Sequence, residues 1–148
     1  VKHKTLIFAI FLITCAPDKY VGTILETHPE PVKHATKCYE AIEGPIKGDL
    51  PDVEVFIVGP ESCSGHNVPT VKGCANKNFV KLVRGRWQDD HGGLDRFEPG
   101  HRLVAHEYMH VLYDTLQPDV PISAHHDVFS DEMNSHLECN FIPRLHVH

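Results

Sequence analysis

His101-Arg102-Leu103-Val104-Ala105-His106-Glu107-Tyr108-Met109-His110-Val111-Leu112-Tyr113 is the stretch on which the reading of this chain turns. Ala105, Met109, Leu112 and Leu116 recur at i, i+4, i+7 and i+11, the spacing of a core-facing helical stripe. His106, His110 and Tyr113 form a stripe beside it, and Val104, Tyr108 and Val111 make much of the remaining surface apolar. The helix is therefore expected to be buried on most sides. Residues four apart on a helix stand one above the other, so the imidazoles of His106 and His110 can reach one metal ion, with Glu107 flanking it. The 13 histidines among 148 residues raise the rate of chance matches to His-Glu-x-x-His, so the bare motif is not decisive. The buried setting sharpens it: two histidines and a glutamate without a compensating partner would be costly there, and a bound cation supplies one.

Helical His-Glu-x-x-His is the pattern of zinc hydrolases, in which both histidines bind Zn2+ and the glutamate takes a proton from a bound water. A catalytic zinc needs a third protein ligand, which must come from outside the motif. The metzincin extension would put glycine and histidine where this chain has Tyr113 and Leu116, so that class is excluded. Two ligands stay open. His106, Glu107, His110, His125 and Phe129 fall at spacings that resemble the SprT-like metalloproteases. That resemblance spans about a fifth of the chain, residues 103–129. It implies a zincin core in which His106, His110 and His125 bind zinc and Glu107 is the base. His126 replaces the glycine usual beside the third ligand, and no basic region follows, so a DNA-linked role is not carried over. Alternatively, Glu132 in Ser130-Asp131-Glu132 is similar to the helix glutamate that completes the site of gluzincin peptidases. His126, Asp127, His136 and Glu138 are weaker options, and Tyr113, His126 and His136 are candidate donors to a developing oxyanion.

Composition fits one globular domain: 41% hydrophobic and 23% charged residues, enough chain for a real core. A net charge of −6 with no basic stripe argues against nucleic acid as a partner. Lys2-His3-Lys4, then an apolar run to Cys15, has the form of a secretory signal, too short for an ordinary membrane span. Its end, Leu12-Ile13-Thr14-Cys15, resembles a bacterial lipoprotein box, with Thr14 where a smaller residue is usual. The resemblance implies an exported, periplasmic or cell-surface protein attached to the membrane through lipidated Cys15. The alternative for this run is a buried first strand. Cys38, Cys63, Cys74 and Cys139 then remain, an even number that two disulfides would use in an oxidising compartment. No Cys-x-x-Cys occurs, which argues against a thiolate zinc site.

In chain order, residues 1–15 read as signal, 16–31 as a tether or irregular lead-in, and 32–148 as the zincin-like domain. A helix is expected over 32–43, with Ala35, Cys38, Tyr39 and Ile42 on its apolar face and His34 on its solvated side. Strands are expected over 53–58 and 78–84, with Lys81 marking the second as wetter or at an edge. Residues 61–76 read as a loop with a short strand near 70–72; a disulfide across it fits the spacing of Cys63 and Cys74, but sequence does not assign the pairing. The motif helix should run from Glu98-Pro99-Gly100 to Gln117-Pro118, and a closing helix over 130–140, capped by Ser130. The fold class is therefore α/β (α+β): an N-terminal helix, a short sheet, the motif helix and a C-terminal helix. Zincin resemblance implies a peptide or protein substrate, with the 79–84 strand pairing with it. Two other classes fit the same sequence: a catalytically inactive zinc-binding module, and a disulfide-stabilised lipoprotein interaction domain with chance histidines.

Overall fold

Four short strands form one mixed sheet in the order β1-β2-β4-β3, namely β1 (Lys19–Thr23), β2 (Glu54–Val58), β3 (Gly73–Asn76) and β4 (Phe79–Val83). The computed structural model describes residues 17–63, 72–84, 101–120 and 136–139. β2 and β4 are parallel, while β1 on β2 and β3 on β4 are antiparallel. Val55, Val80 and Leu82 sit in the main core with the helices. Val58, Val83 and Cys63 form a second, smaller cluster, with Phe56 and Cys74 packed against it. This division follows the two-residue alternation of a strand. The result is the small α+β domain expected from the sequence.

β2 and β4 fall where β-branched content puts them, but Lys81 does not mark an edge. β4 is an inner strand, flanked by β2 and β3. Lys81 is accommodated there because its ammonium lies 4.5 Å from the centroid of the Phe79 ring, on a long stem that needs no burial of charge. The short strand foreseen near 70–72 lies instead at Gly73–Asn76, and it returns to β4 through a tight turn. Asn76 holds that turn: its Oδ1 accepts from the backbone N–H of Asn78 and of Phe79, at 2.8 and 3.2 Å.

Residues 17–31, read as part of a tether or irregular lead-in, are structured. They contain β1, one helical turn, α1 (Ile24–Thr27), and the start of α2 (Pro29–Glu43). β1 pairs with β2 through a register shift between Tyr20 and Gly22, and Gly22 has φ 140°. That bulge breaks the alternation by which a five-residue strand could be read. α2 begins three residues before the sequence reading, because Pro29 and Pro31 fit a first turn, whose N–H groups have no intrahelical partner. It stops at Gly44, whose φ of 92° favours glycine and whose N–H reaches Glu40 O at 2.9 Å. Val32, Ala35, Cys38 and Tyr39 form its buried face.

α3 (His101–Leu116) lies between α2 and the β3–β4 side of the sheet. Leu103 to Met109 and Val111 to Tyr113 are buried, as the apolar pattern requires. Tyr39 and Tyr113 meet edge to face at 4.9 Å, and Gln117 Nε2 donates to Tyr39 Oη at 3.0 Å just past the helix end. On the other flank Tyr108 Oη donates to Pro51 O at 2.8 Å. His34 is not on a solvated face. It is half-buried, with Nδ1 2.7 Å from Nε2 of buried His101, one ring N–H donating to the other ring across the α2–α3 contact.

Two disulfides use the four expected cysteines. Cys38–Cys139 joins α2 to a single turn of 3-10 helix, Leu137–Cys139, across a separation of 101 residues. Cys63–Cys74 joins a second such turn, Pro60–Cys63, to β3 across 11 residues. Both are compatible with an oxidising, extracellular compartment. No helix among the described residues is long and apolar enough to cross a membrane. Residues 1–15, and most of the closing helix read over 130–140, lie outside the described residues.

Candidate metal centre

His106, Glu107 and His110 project from the middle of α3, where helical winding alone brings the two histidines together. Their Nε2 atoms are 3.2 Å apart and the rings meet edge to face, with centroids at 4.9 Å. One ligand atom from each of the three residues lies within 4.8 Å of the other two, so this group could hold a metal ion. His106 and Glu107 are buried while His110 is half-buried. Imidazole nitrogens and a carboxylate oxygen form a donor set suited to a first-row transition metal.

Glu107 is only 4% exposed, and this burial pushes its carboxyl up to about 8 in the metal-free chain, from an ordinary 4.5. Charge on Glu107 is therefore costly until a cation is close, and a cation would favour the carboxylate. The backbone of β3 lies directly against that carboxylate. A Cβ added at Gly73 would come 2.9 Å from Glu107 Oε1 and 2.9 Å from Lys81 O.

The other sequence-derived ligands are distributed as follows. His125, Glu132, His126 and Asp127 lie outside the described residues. His136 and Glu138 are described, and neither joins the His106–Glu107–His110 group. The Tyr113 hydroxyl, a candidate oxyanion donor, donates to Glu43 at 3.0 Å on the α2 side. Sequence reasoning missed Gly73. Its signal was a glycine beside a cysteine in a segment with weak strand character, and such a glycine often marks close approach of another group. It also missed His34–His101, a contact between helices 67 residues apart that no local pattern encodes.

No family model matches the chain, and no curated protein or solved structure does either.

Proposed function

We propose that the chain is a zinc-dependent peptidase of zincin type, with His106 and His110 as zinc ligands and Glu107 as general base. The observation that carries this reading is the buried Glu107 carboxylate held within 4.8 Å of nitrogens from both histidines. Their 3.2 Å separation is compatible with zinc. Two nitrogens each about 2.0–2.1 Å from one tetrahedral ion stand about 3.3–3.4 Å apart. Zinc, when bound, polarises a carbonyl and acidifies water. Glu107 takes the proton of the attacking water and passes it to the departing amine. His125 is the proposed third ligand, with Glu132 as the alternative. An extended peptide would add to the sheet at β3 rather than at the 79–84 strand. β4 is flanked on both sides, whereas β3 is the edge strand beside α3 among the described residues.

Metal dependence is the test. Purified protein should cleave an unfolded polypeptide, lose that activity on chelation and regain it with one equivalent of zinc. His125→Ala should lose the metal while Glu132→Ala keeps it. Cleavage that survives complete metal removal would sink the proposal, and loss of zinc in Glu132→Ala alone would reassign the third ligand.

The two disulfides support export, and the Lys2-to-Cys15 pattern supports lipid attachment at Cys15. Mass spectrometry of the native protein should find a chain that begins at a lipid-modified Cys15. An unmodified peptide running through Thr14-Cys15-Ala16 would reject the attachment.

A further inference from the structure

We infer that Gly73 is the positioning residue of this site, and that edge strand β3, tied by Cys63–Cys74, fixes where the Glu107 carboxylate stands. The inference rests on the reading of Glu107 as the base.

Three observations meet at one point. First, a Cβ at position 73 would stand 2.9 Å from Glu107 Oε1 and 3.3 Å from Glu107 Cδ, so a side chain there would displace the carboxylate from where it stands. Second, the same Cβ would stand 2.9 Å from Lys81 O, a backbone atom of β4. The added carbon therefore cannot be relieved by sliding β3 without disturbing its pairing, in which Gly73 faces Leu82 and Cys74 faces Lys81. Third, the next residue, Cys74, is bonded to buried Cys63 in the turn that follows β2, and it packs in the small cluster with Val58 and Val83. β3 is thus held on one long side by β4 and at its start by a covalent tie.

Glu107 has little other room to move. It is 4% exposed and belongs to α3, most of which is buried. Its carboxylate therefore rests between its own helix and the Gly73 backbone. A residue with a side chain at 73 would push that carboxylate away from the position it shares with the His106 and His110 nitrogens. The nearest contacts of that Cβ are with Glu107 and Lys81, so the carboxylate rather than the histidines takes the first displacement. Proton transfer depends steeply on such placement, and a misplacement of about 1 Å can cost about 10²-fold in rate.

The experiment joins a stability cycle to a kinetic one, using the full chain. Thermal unfolding of metal-free wild type, Gly73→Ala, Glu107→Ala and the double variant should be non-additive. Gly73→Ala should lower Tm in both backgrounds, because the Lys81 O contact is common to them, and by a larger amount when Glu107 is present. With zinc added, Gly73→Ala should keep one equivalent of metal, with kcat down by about 10²-fold and KM nearly unchanged. Additive Tm shifts would overturn the contact. Full kcat in Gly73→Ala would overturn the positioning role even if the shifts couple. Should Gly73→Ala fold poorly, Cys63→Ala/Cys74→Ala keeps the glycine and releases the strand. It should also lower kcat at full zinc occupancy, and unchanged kcat there would remove the tie from the proposal. If wild type cleaves nothing, the peptidase reading falls, while the stability cycle still decides whether Gly73 fixes the carboxylate.

Discussion

Glu107→Gln is expected to retain about one equivalent of zinc and to lose peptide hydrolysis by about 10²–10⁴-fold. Glutamine keeps the size of the side chain and a hydrogen-bonding end, but it cannot accept the water's proton. His106→Ala and His110→Ala should instead lose zinc and hydrolysis together, because each removes one of two nitrogens 3.2 Å apart. Metal analysis alongside a rate assay distinguishes the classes. A zinc-binding module without catalysis gives no hydrolysis in any form, and loss of zinc in Glu107→Gln would make Glu107 a ligand. The same variant has a second signature in metal-free protein. Glu107 titrates at about 8 when folded, above its ordinary 4.5. A folded value above the unfolded one means that its contribution to stability is complete below about pH 4.5. That contribution is lost as pH rises through about 8. Glutamine does not titrate, so metal-free Glu107→Gln should gain on wild type across that window, by of order a few kcal/mol at its alkaline end. A Tm difference between the two that does not change with pH would remove burial of Glu107 as a source of pH dependence.

Removing Cys38–Cys139 is expected to cost about 4–5 kcal/mol, the loop-entropy effect for a closed loop of about 100 residues. Both cysteines are fully buried, and the bond joins parts of the chain separated by 101 residues. A domain of this size holds about 5–15 kcal/mol in total, so Cys38→Ala/Cys139→Ala should lower Tm by about 10–20 °C. Removing Cys63–Cys74, which closes only 11 residues, should cost less, about 3 kcal/mol. Thermal unfolding of the two double variants checks the order. A larger loss from the short loop would mean that strain or residual structure in the unfolded chain, not loop length, sets the effect.

The parts of this fold legible in the sequence are those whose physics is local. α3 was readable because Ala105, Met109 and Leu112 repeat at helical spacing, and the metal group follows from the winding of that one helix. β2 and β4 were readable from runs of valine, isoleucine, leucine and phenylalanine. β1 was not, because Gly22 and the bulge interrupt its alternation. β3 was displaced in the reading because Gly73, Cys74 and Asn76 carry weak strand preference, and the pairing with β4 decides its position. Lys81 left a wetter face and an edge undecided, because its alternation is the same on an inner strand as on an edge when its head can reach an aromatic face. The disulfide partners, the His34–His101 contact and the fit of Gly73 to Glu107 are set by tertiary packing, so spacing along the chain could not identify them.

The long disulfide also imposes an order on biogenesis. During synthesis Cys139 follows Cys38 by 101 residues, which at roughly 5–20 residues per second is a delay of about 5–20 s. Cys63 and Cys74 appear within that interval, and either can capture the thiol of Cys38 before its native partner exists. Disulfides form and reshuffle over seconds to hours, so the delay reaches the fast end of that range. The 11-residue spacing of Cys63 and Cys74 favours their closure on each other first, since a short loop has less entropy to lose. Closing that pair early both protects Cys38 and sets the strand that carries Gly73, so the part of the molecule beside Glu107 is tied before the rest of the domain is sealed. A chain that takes the wrong partner at Cys38 returns by thiol–disulfide exchange, in which the thiolate of Cys139 attacks the sulfur of Cys38 and releases the wrong partner, a step that an oxidoreductase can speed.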